Sequence, residues 1–167
     1  MEIFKNAISH NGLRYDVEYY DASHFDDVPD ELILKSHAVC FWDGKMLLVN
    51  HPQWNIWGIP GGTREANEPI LETLKREILE ETNCETLDFT PVGYLKVISP
   101  DGDVHYRTQY ICNVKPLGEF ESDPAGNIDK IMWINPAGFG KYIEEKEHKR
   151  IVIEKALDLY RKLNSST

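Results

Sequence analysis

Two runs of apolar and β-branched residues, Ser36–Trp42 and Lys45–Asn50, stand on either side of Asp43-Gly44. Asp-Gly is favoured where both central residues of a two-residue turn need positive φ, so the stretch predicts a β-hairpin. A helical period follows. Over residues 68–82, Ile70, Leu71, Leu74 and Ile78 fall on one side of a helix turning about 100° per residue. Apolar strands and a helix with one apolar stripe must bury each other, which points to a mixed α/β fold.

The rest of the chain reads in the same short blocks. Residues 13–21 are a candidate early strand, 25–31 a turn or loop, and 51–62 a loop closed by Pro60-Gly61-Gly62. Strands are expected over 89–98, 104–115 and 129–134, with Ser99–Asp103 as the turn between the first two. Residues 144–163 predict a terminal helix with Ile151, Ile153, Leu157, Tyr160 and Leu163 on one side. Repeats, low-complexity tracts and domain-splitting linkers are absent from the sequence, so residues 1–167 are expected to form one domain, with 1–30 an N-terminal extension of uncertain structure.

Composition narrows the function classes. No apolar run approaches the roughly 20 residues of a membrane span, and the first residues lack the apolar core of a signal peptide. Cys40, Cys84 and Cys112 are odd in number and widely spaced, matching neither a disulfide framework nor a zinc site, so a reducing, cytoplasmic setting is expected. A net charge of −10 argues against stable nucleic-acid binding. It leaves phosphate-bearing small molecules open, because divalent metals can supply positive charge locally.

Three acids in the central helix break its rules. Glu81 falls about 20° from Leu74 on the helical wheel, within the apolar stripe, while Glu77 and Glu80 line its edge. Glu77 repels Glu80 and Glu81 at helical spacings, and all three sit near the helix C-terminus, where the macrodipole disfavours anions. Violations in one direction mark functional sites, and a hard divalent cation such as magnesium is the natural compensation. The alternative is a solvated charged face on which Arg76 bridges Glu72 and Glu80.

The stretch Gly62, Glu68, Arg76-Glu77-Ile78, Glu80-Glu81, Asn83 and Cys84 resembles the Nudix box of the Nudix hydrolases, with "WGIPGG" before it similar to the family's lead-in. Asn83 stands where the family has glycine, as Asn67 often does; asparagine tolerates positive φ, so both turns are expected to survive. The resemblance implies an α/β/α sandwich with a mixed sheet. It also implies a metal-dependent hydrolase cleaving a phosphoanhydride bond in a nucleoside diphosphate linked to another moiety. By position Glu77, Glu80 and Glu81 resemble magnesium ligands, with manganese a substitute, and Glu77 would also help activate water. The carbonyl of Gly61 is similar in place to a backbone metal ligand. Arg76 would orient Glu77, and Gly62 and Glu68 would organise the loop.

Substrate contacts are less determined. Members of the family often recruit an acid from a later loop, for which Glu119, Glu121, Asp123 and Asp129 are available and Glu121 is chosen. Arg64, Lys96, His105 and Arg107 are candidate phosphate contacts, and Trp54 is the candidate base-stacking residue. The substrate classes are a nucleoside triphosphate or dinucleoside polyphosphate, with ADP-ribose or another nucleotide sugar, or a non-catalytic nucleotide sensor, as alternatives. The stretch 99–102 is loosely similar to one in ADP-ribose hydrolases and reads equally as a hairpin turn. Oligomeric state is not assigned.

Overall fold

Two turns of one kind organise the first half of the sheet in the computed structural model, which describes residues 2–143 and 147–166. Asn11-Gly12 joins β1 (Glu2–His10) to β2 (Leu13–Asp21), and Asp43-Gly44 joins β3 (Ile33–Trp42) to β4 (Lys45–His51). Their φ angles are 50° and 76°, then 50° and 73°, the left-handed pair that such a hairpin turn requires. The chain continues through β5 (Ile56–Gly58), β6 (Gly61–Thr63), α1 (Ile70–Thr82), β7 (Cys84–Thr86), β8 (Thr90–Ile98), β9 (Val104–Pro116), β10 (Lys130–Ile134) and α2 (Glu147–Ser165).

The main path of the sheet runs β1-β2-β8-β9-β3-β4-β10, with β5 on β4, β6 on β3 and β7 on β9. Strands β3 and β9 pair in parallel and the other described pairs are antiparallel, so the sheet is mixed. Alternation along β3 sends Ala38 and Cys40 to one face and Val39 and Phe41 to the other. Leu74 and Ile78 of α1 pack on the first face with Leu47, Cys112 and Val114. Ile153, Ala156 and Leu157 of α2 pack on the second with Met46, Leu48 and Ile111. The architecture is the expected helix–sheet–helix sandwich. Strand β9 is central because it reaches β3, β7 and β8 at once.

Several local expectations need correction. Residues 1–30, expected to be of uncertain structure, supply the β1–β2 hairpin, which extends the sheet beyond β8. The expected loop 51–62 contains β5 and the start of β6. Leu71, expected in the buried stripe, is 38% exposed and lines a surface groove with Ile70 and Phe89. In α2 the buried side is centred on Val152, Ile153, Ala156 and Leu157, and Tyr160 stacks on Phe41 at 3.8 Å. Leu163 is exposed, since the wheel fixes a face and not how far the sheet extends beneath it. Residues 144–146, expected to begin that helix, lie outside the described residues. Cys40, Cys84 and Cys112 are free and buried.

Asn83 ends α1 in the left-handed region, with φ 54° and ψ 37°, and its N–H donates to the Leu79 carbonyl. Its side chain adds a bond, Nδ2 donating to the Glu119 carbonyl at 3.1 Å. Asn67 holds φ 62°, so both asparagines keep the turns that glycine would give. Asn83→Ala should therefore lower stability by about 1 kcal/mol or more through left-handed strain alone, and Asn83→Gly should cost less. Urea denaturation of the two variants measures the difference; equal losses would show that the cap conformation is not what Asn83 supplies.

Candidate active site

Helix α1 has Pro69 before its first residue and no side-chain cap on its free N–H groups. Order at that end comes from Glu68. Its carboxylate accepts bonds from Glu65 N at 3.0 Å, Thr73 Oγ1 at 2.7 Å and Arg76 Nε at 2.8 Å. The Arg76 bond, more than the others, holds the Glu68 carboxyl at about 2, well below the usual range. Arg76 in turn donates from Nη1 to Glu77 Oε1 at 2.9 Å and from Nη2 to the Thr63 carbonyl at 3.1 Å. Glu80 Oε2 lies 3.5 Å from Nη1. Glu72 pairs instead with Lys75 at 2.8 Å, so Arg76 does not bridge Glu72 and Glu80. Its planar fork spans the loop, the β6 backbone and one acid of the helix.

The acids reach the sheet where side chains are missing. Gly61 has φ 146°, and a Cβ there would lie 2.2 Å from the Ser36 carbonyl oxygen. A Cβ on Gly62 would lie 2.4 Å from the Glu77 carboxyl carbon. Through this gap Glu81, only 4% exposed, accepts a bond from Gly61 N at 3.1 Å. Burial is the main cause raising its carboxyl to about 8; the Gly61 bond opposes this, while Glu77, Asp123 and Glu80 add to it. Glu77 is raised by burial, with Arg76 opposing and Glu80 and Asp123 adding to it. Glu81 forms no ion pair among the described residues.

An all-oxygen, anionic donor set beside a backbone loop fits a hard divalent ion. Among the described residues no three His, Cys, Asp or Glu side chains are already gathered around one point. Glu80 leans toward Arg76, so a shared ion requires that side chain to turn from Arg76 into the cleft. The cleft has a volume of about 360 Å³ and is lined by Glu77, Glu81, Gly61, Lys35, His37 and Trp54 among others. Trp54 is 60% exposed at the mouth, a position from which a ring can meet a base.

The remaining candidates scatter. Arg64 donates to the Glu68 carbonyl at 2.6 Å and pairs with Asp30 at 2.8 Å, tying the loop to the segment before β3 rather than facing the cleft. Lys96 sits 3.8 Å from Glu18 on β2. Glu121 is exposed and makes no hydrogen bond or ion pair among the described residues. Its neighbour Asp123 is buried and accepts bonds from Ala125 N, Asn127 N and Ile128 N at 2.9 to 3.1 Å. Asp123 is also the loop acid whose charge reaches Glu77 and Glu81. Ser99–Asp103 is a hairpin turn, with Gly102 N donating to the Ser99 carbonyl at 2.9 Å. Sequence reasoning missed Lys35 and His37; the polar run Lys35-Ser36-His37 at the start of an otherwise apolar β3 was the available signal.

Glu81→Gln isolates the buried charge. The folded carboxyl holds its proton up to about 8, above its unfolded value, so folding takes up a proton between the two. The associated stability is present at low pH and lost as pH rises through the folded value. In chelator the variant should match the parent at acidic pH and exceed it increasingly toward pH ~8. Urea denaturation across pH measures this. A variant less stable than the parent at every pH would show that Glu81 is a structural acceptor only.

The NUDIX domain profile matches residues 34–155. An uncharacterised Nudix hydrolase of Bacillus subtilis, YvcI, is 32% identical over 68 residues, which are 41% of this chain and 43% of that protein. An 8-oxo-dGTP diphosphatase of Buchnera aphidicola is 40% identical over 47 residues, 28% of this chain and 38% of the relative. These matches span less than half the length of either relative. Among solved structures, the Bacillus subtilis pyrophosphohydrolase BsRppH superposes with a TM-score of 0.69 at 18% identity, covering 93% of this chain and 97% of that one. A MutT Nudix hydrolase of Burkholderia pseudomallei gives 0.58 at 22% identity, covering 72% and 95%. At these identities the structural likeness speaks for the fold.

Proposed function

We propose that this chain, which belongs to the Nudix family, is a magnesium-dependent pyrophosphohydrolase of a nucleoside diphosphate linked to another moiety. The observation that carries the reading is Glu81, a carboxylate buried against Gly61 with no cationic side chain paired to it among the described residues. A buried anion of this kind is costly unless a cation joins it. Glu77, Glu80, Glu81 and the backbone at Gly61 would hold the metal, which would neutralise phosphate charge and polarise water.

The chain's own residues then divide the work. Arg76 fixes one carboxylate oxygen of Glu77, leaving the other to accept a proton from the attacking water. Water adds to one phosphorus, the bridging P–O bond breaks, and the departing phosphate carries the bonding electrons away. Glu68 holds Arg76, so its effect on the reaction is indirect. Trp54 at the mouth favours a substrate carrying a base. That cytoplasmic nucleotides are the substrates agrees with the reduced, buried cysteines. Among the described residues no helix is long and apolar enough to cross a membrane.

A panel of nucleoside triphosphates, dinucleoside polyphosphates and nucleotide sugars, with products identified by mass, tests the proposal. Turnover with magnesium or manganese, abolished by EDTA, is the expected result. No turnover of any compound with either metal would favour a nucleotide sensor and overturn the catalytic reading.

Arg76→Lys tests the positioning. Lysine keeps the charge but loses the fork that joins Glu68, Thr63 and Glu77. The rate constant kcat should fall at least about tenfold, as for other residues that orient a metal ligand, with KM changed less and the metal requirement retained. An unchanged kcat would leave Arg76 as a loop staple alone.

A further inference from the structure

We infer that Lys35 and Arg107 form a subsite for the free end of a phosphate chain. The preferred substrate is then a nucleoside polyphosphate with an unesterified terminal phosphate, rather than one whose far phosphate is esterified to a sugar or second nucleoside. This rests on the reading of the cleft as a phosphohydrolase site and narrows its substrate.

Strand register places the pair beside the acids. On β3, Lys35 lies opposite Thr63 of β6 on one side and Arg107 of β9 on the other. His37, two residues on, lies between Gly61 and Gln109. Alternation puts Lys35 and His37 on the face of Val39 and Phe41, and Arg107 on that of Ile111. The cations thus line one face of the sheet next to the glycine pair through which Glu77 and Glu81 reach the cleft. Lys35 lines the same cleft as Glu77 and Glu81, and Arg107 lines the recess that adjoins it.

Neither cation has a carboxylate partner among the described residues. Among the described residues Lys35 and Arg107 form no ion pair, although the chain has 28 acids against 18 lysines and arginines. The one side-chain bond of Arg107 runs from Nε to His105 Nε2 at 3.4 Å, leaving both terminal nitrogens as donors. Burial, then Arg107, lowers the Lys35 amine, with Glu77 opposing, and burial lowers Arg107. Two part-buried like charges side by side destabilise the free protein, as Glu77 and Glu81 do opposite them. His37 and His105 are held at about 3 and about 4, chiefly by burial and then by Arg107, so near neutral pH they contribute hydrogen bonds and not charge.

Shape adds a second restriction. Adjoining the cleft is a recess of about 110 Å³ where Arg107, Gln109 and Lys149 stand among apolar residues such as Leu95, Val152 and Ile153, with His37 and His51 shared between the two. That is well below the roughly 300–1,000 Å³ of sites that enclose drug-sized molecules. It accommodates a phosphate group and not a ribose. An unesterified terminal phosphate carries more charge and more free oxygens than an internal one, and a guanidinium fork can grip two of those oxygens together. Esterification of that phosphate removes an acceptor and brings a sugar to the recess.

The test compares Lys35→Gln and Arg107→Gln with the parent, using a nucleoside triphosphate and ADP-ribose as substrates with magnesium. Inorganic tripolyphosphate binding, followed by calorimetry, serves as a readout that needs no turnover. Each variant should lose kcat/KM for the triphosphate at least about tenfold more than for ADP-ribose, and tripolyphosphate affinity should fall by a similar factor. Equal losses for both substrates, or unchanged tripolyphosphate binding, would overturn the subsite. If the parent turns over nothing, the catalytic reading fails while the binding measurement still decides the subsite. Melting curves identify a variant that does not fold; either substitution alone carries the same expectation.

Discussion

The hydrogen bond from Gly61 N–H to Glu81 is the contact on which the site depends. It lets a carboxylate enter the apolar seam between α1 and the sheet, where Leu74 and Ile78 of the same helix are fully buried. A single neutral N–H compensates only part of the cost of burying an anion. The glycines make the approach possible, because a Cβ at either position would collide with β3 or with Glu77. The same geometry that creates the cost leaves the opening that the proposed metal would fill.

Around that contact the charges are arranged by element. Helix α1 brings the acids, held in place by the Glu68–Arg76 pair at 2.8 Å. Strands β3 and β9, joined in the parallel pair, bring Lys35 and Arg107. In a chain of net charge −10, two cations without a carboxylate partner among the described residues, beside a buried acid without a cationic one, are not explained by surface solvation. Glu81 on one side and the two cations on the other lack counter-ions among the described residues, while Glu77 is held by Arg76. A metal and a phosphate chain together would supply both.

Much of this was legible in the sequence, and the exceptions have physical causes. The Asp43-Gly44 hairpin, α1 and its ending at Asn83 followed from turn chemistry and helical period, which are local. Glu81 was legible as a violation of that period. The β1–β2 hairpin was missed although Asn11-Gly12 carries the signal that located its counterpart, because the flanking strand Glu2–His10 alternates weakly. Strands β5, β6 and β7 are three residues each, too short to show a period, and pair on the stretches of β4, β3 and β9 that run past their longer neighbours. Arg64 was read as a phosphate contact from its charge and place near the box. Its partner Asp30 lies 34 residues earlier, a distance over which sequence pattern carries no information. Lys35 and Arg107 come together only through the parallel pairing of strands far apart in the chain.

The central claim, that the buried carboxylate at Glu81 is one side of a divalent-metal site, is most directly tested by calorimetric titration of manganese into the protein near neutral pH, in two buffers with different ionisation enthalpies. Burial holds the Glu81 proton up to about 8 in the metal-free protein, so a metal that takes this carboxylate must displace it. Binding heats that differ between the buffers in proportion to a released proton are the predicted result. Binding with no proton release, or no binding at all, would contradict the account.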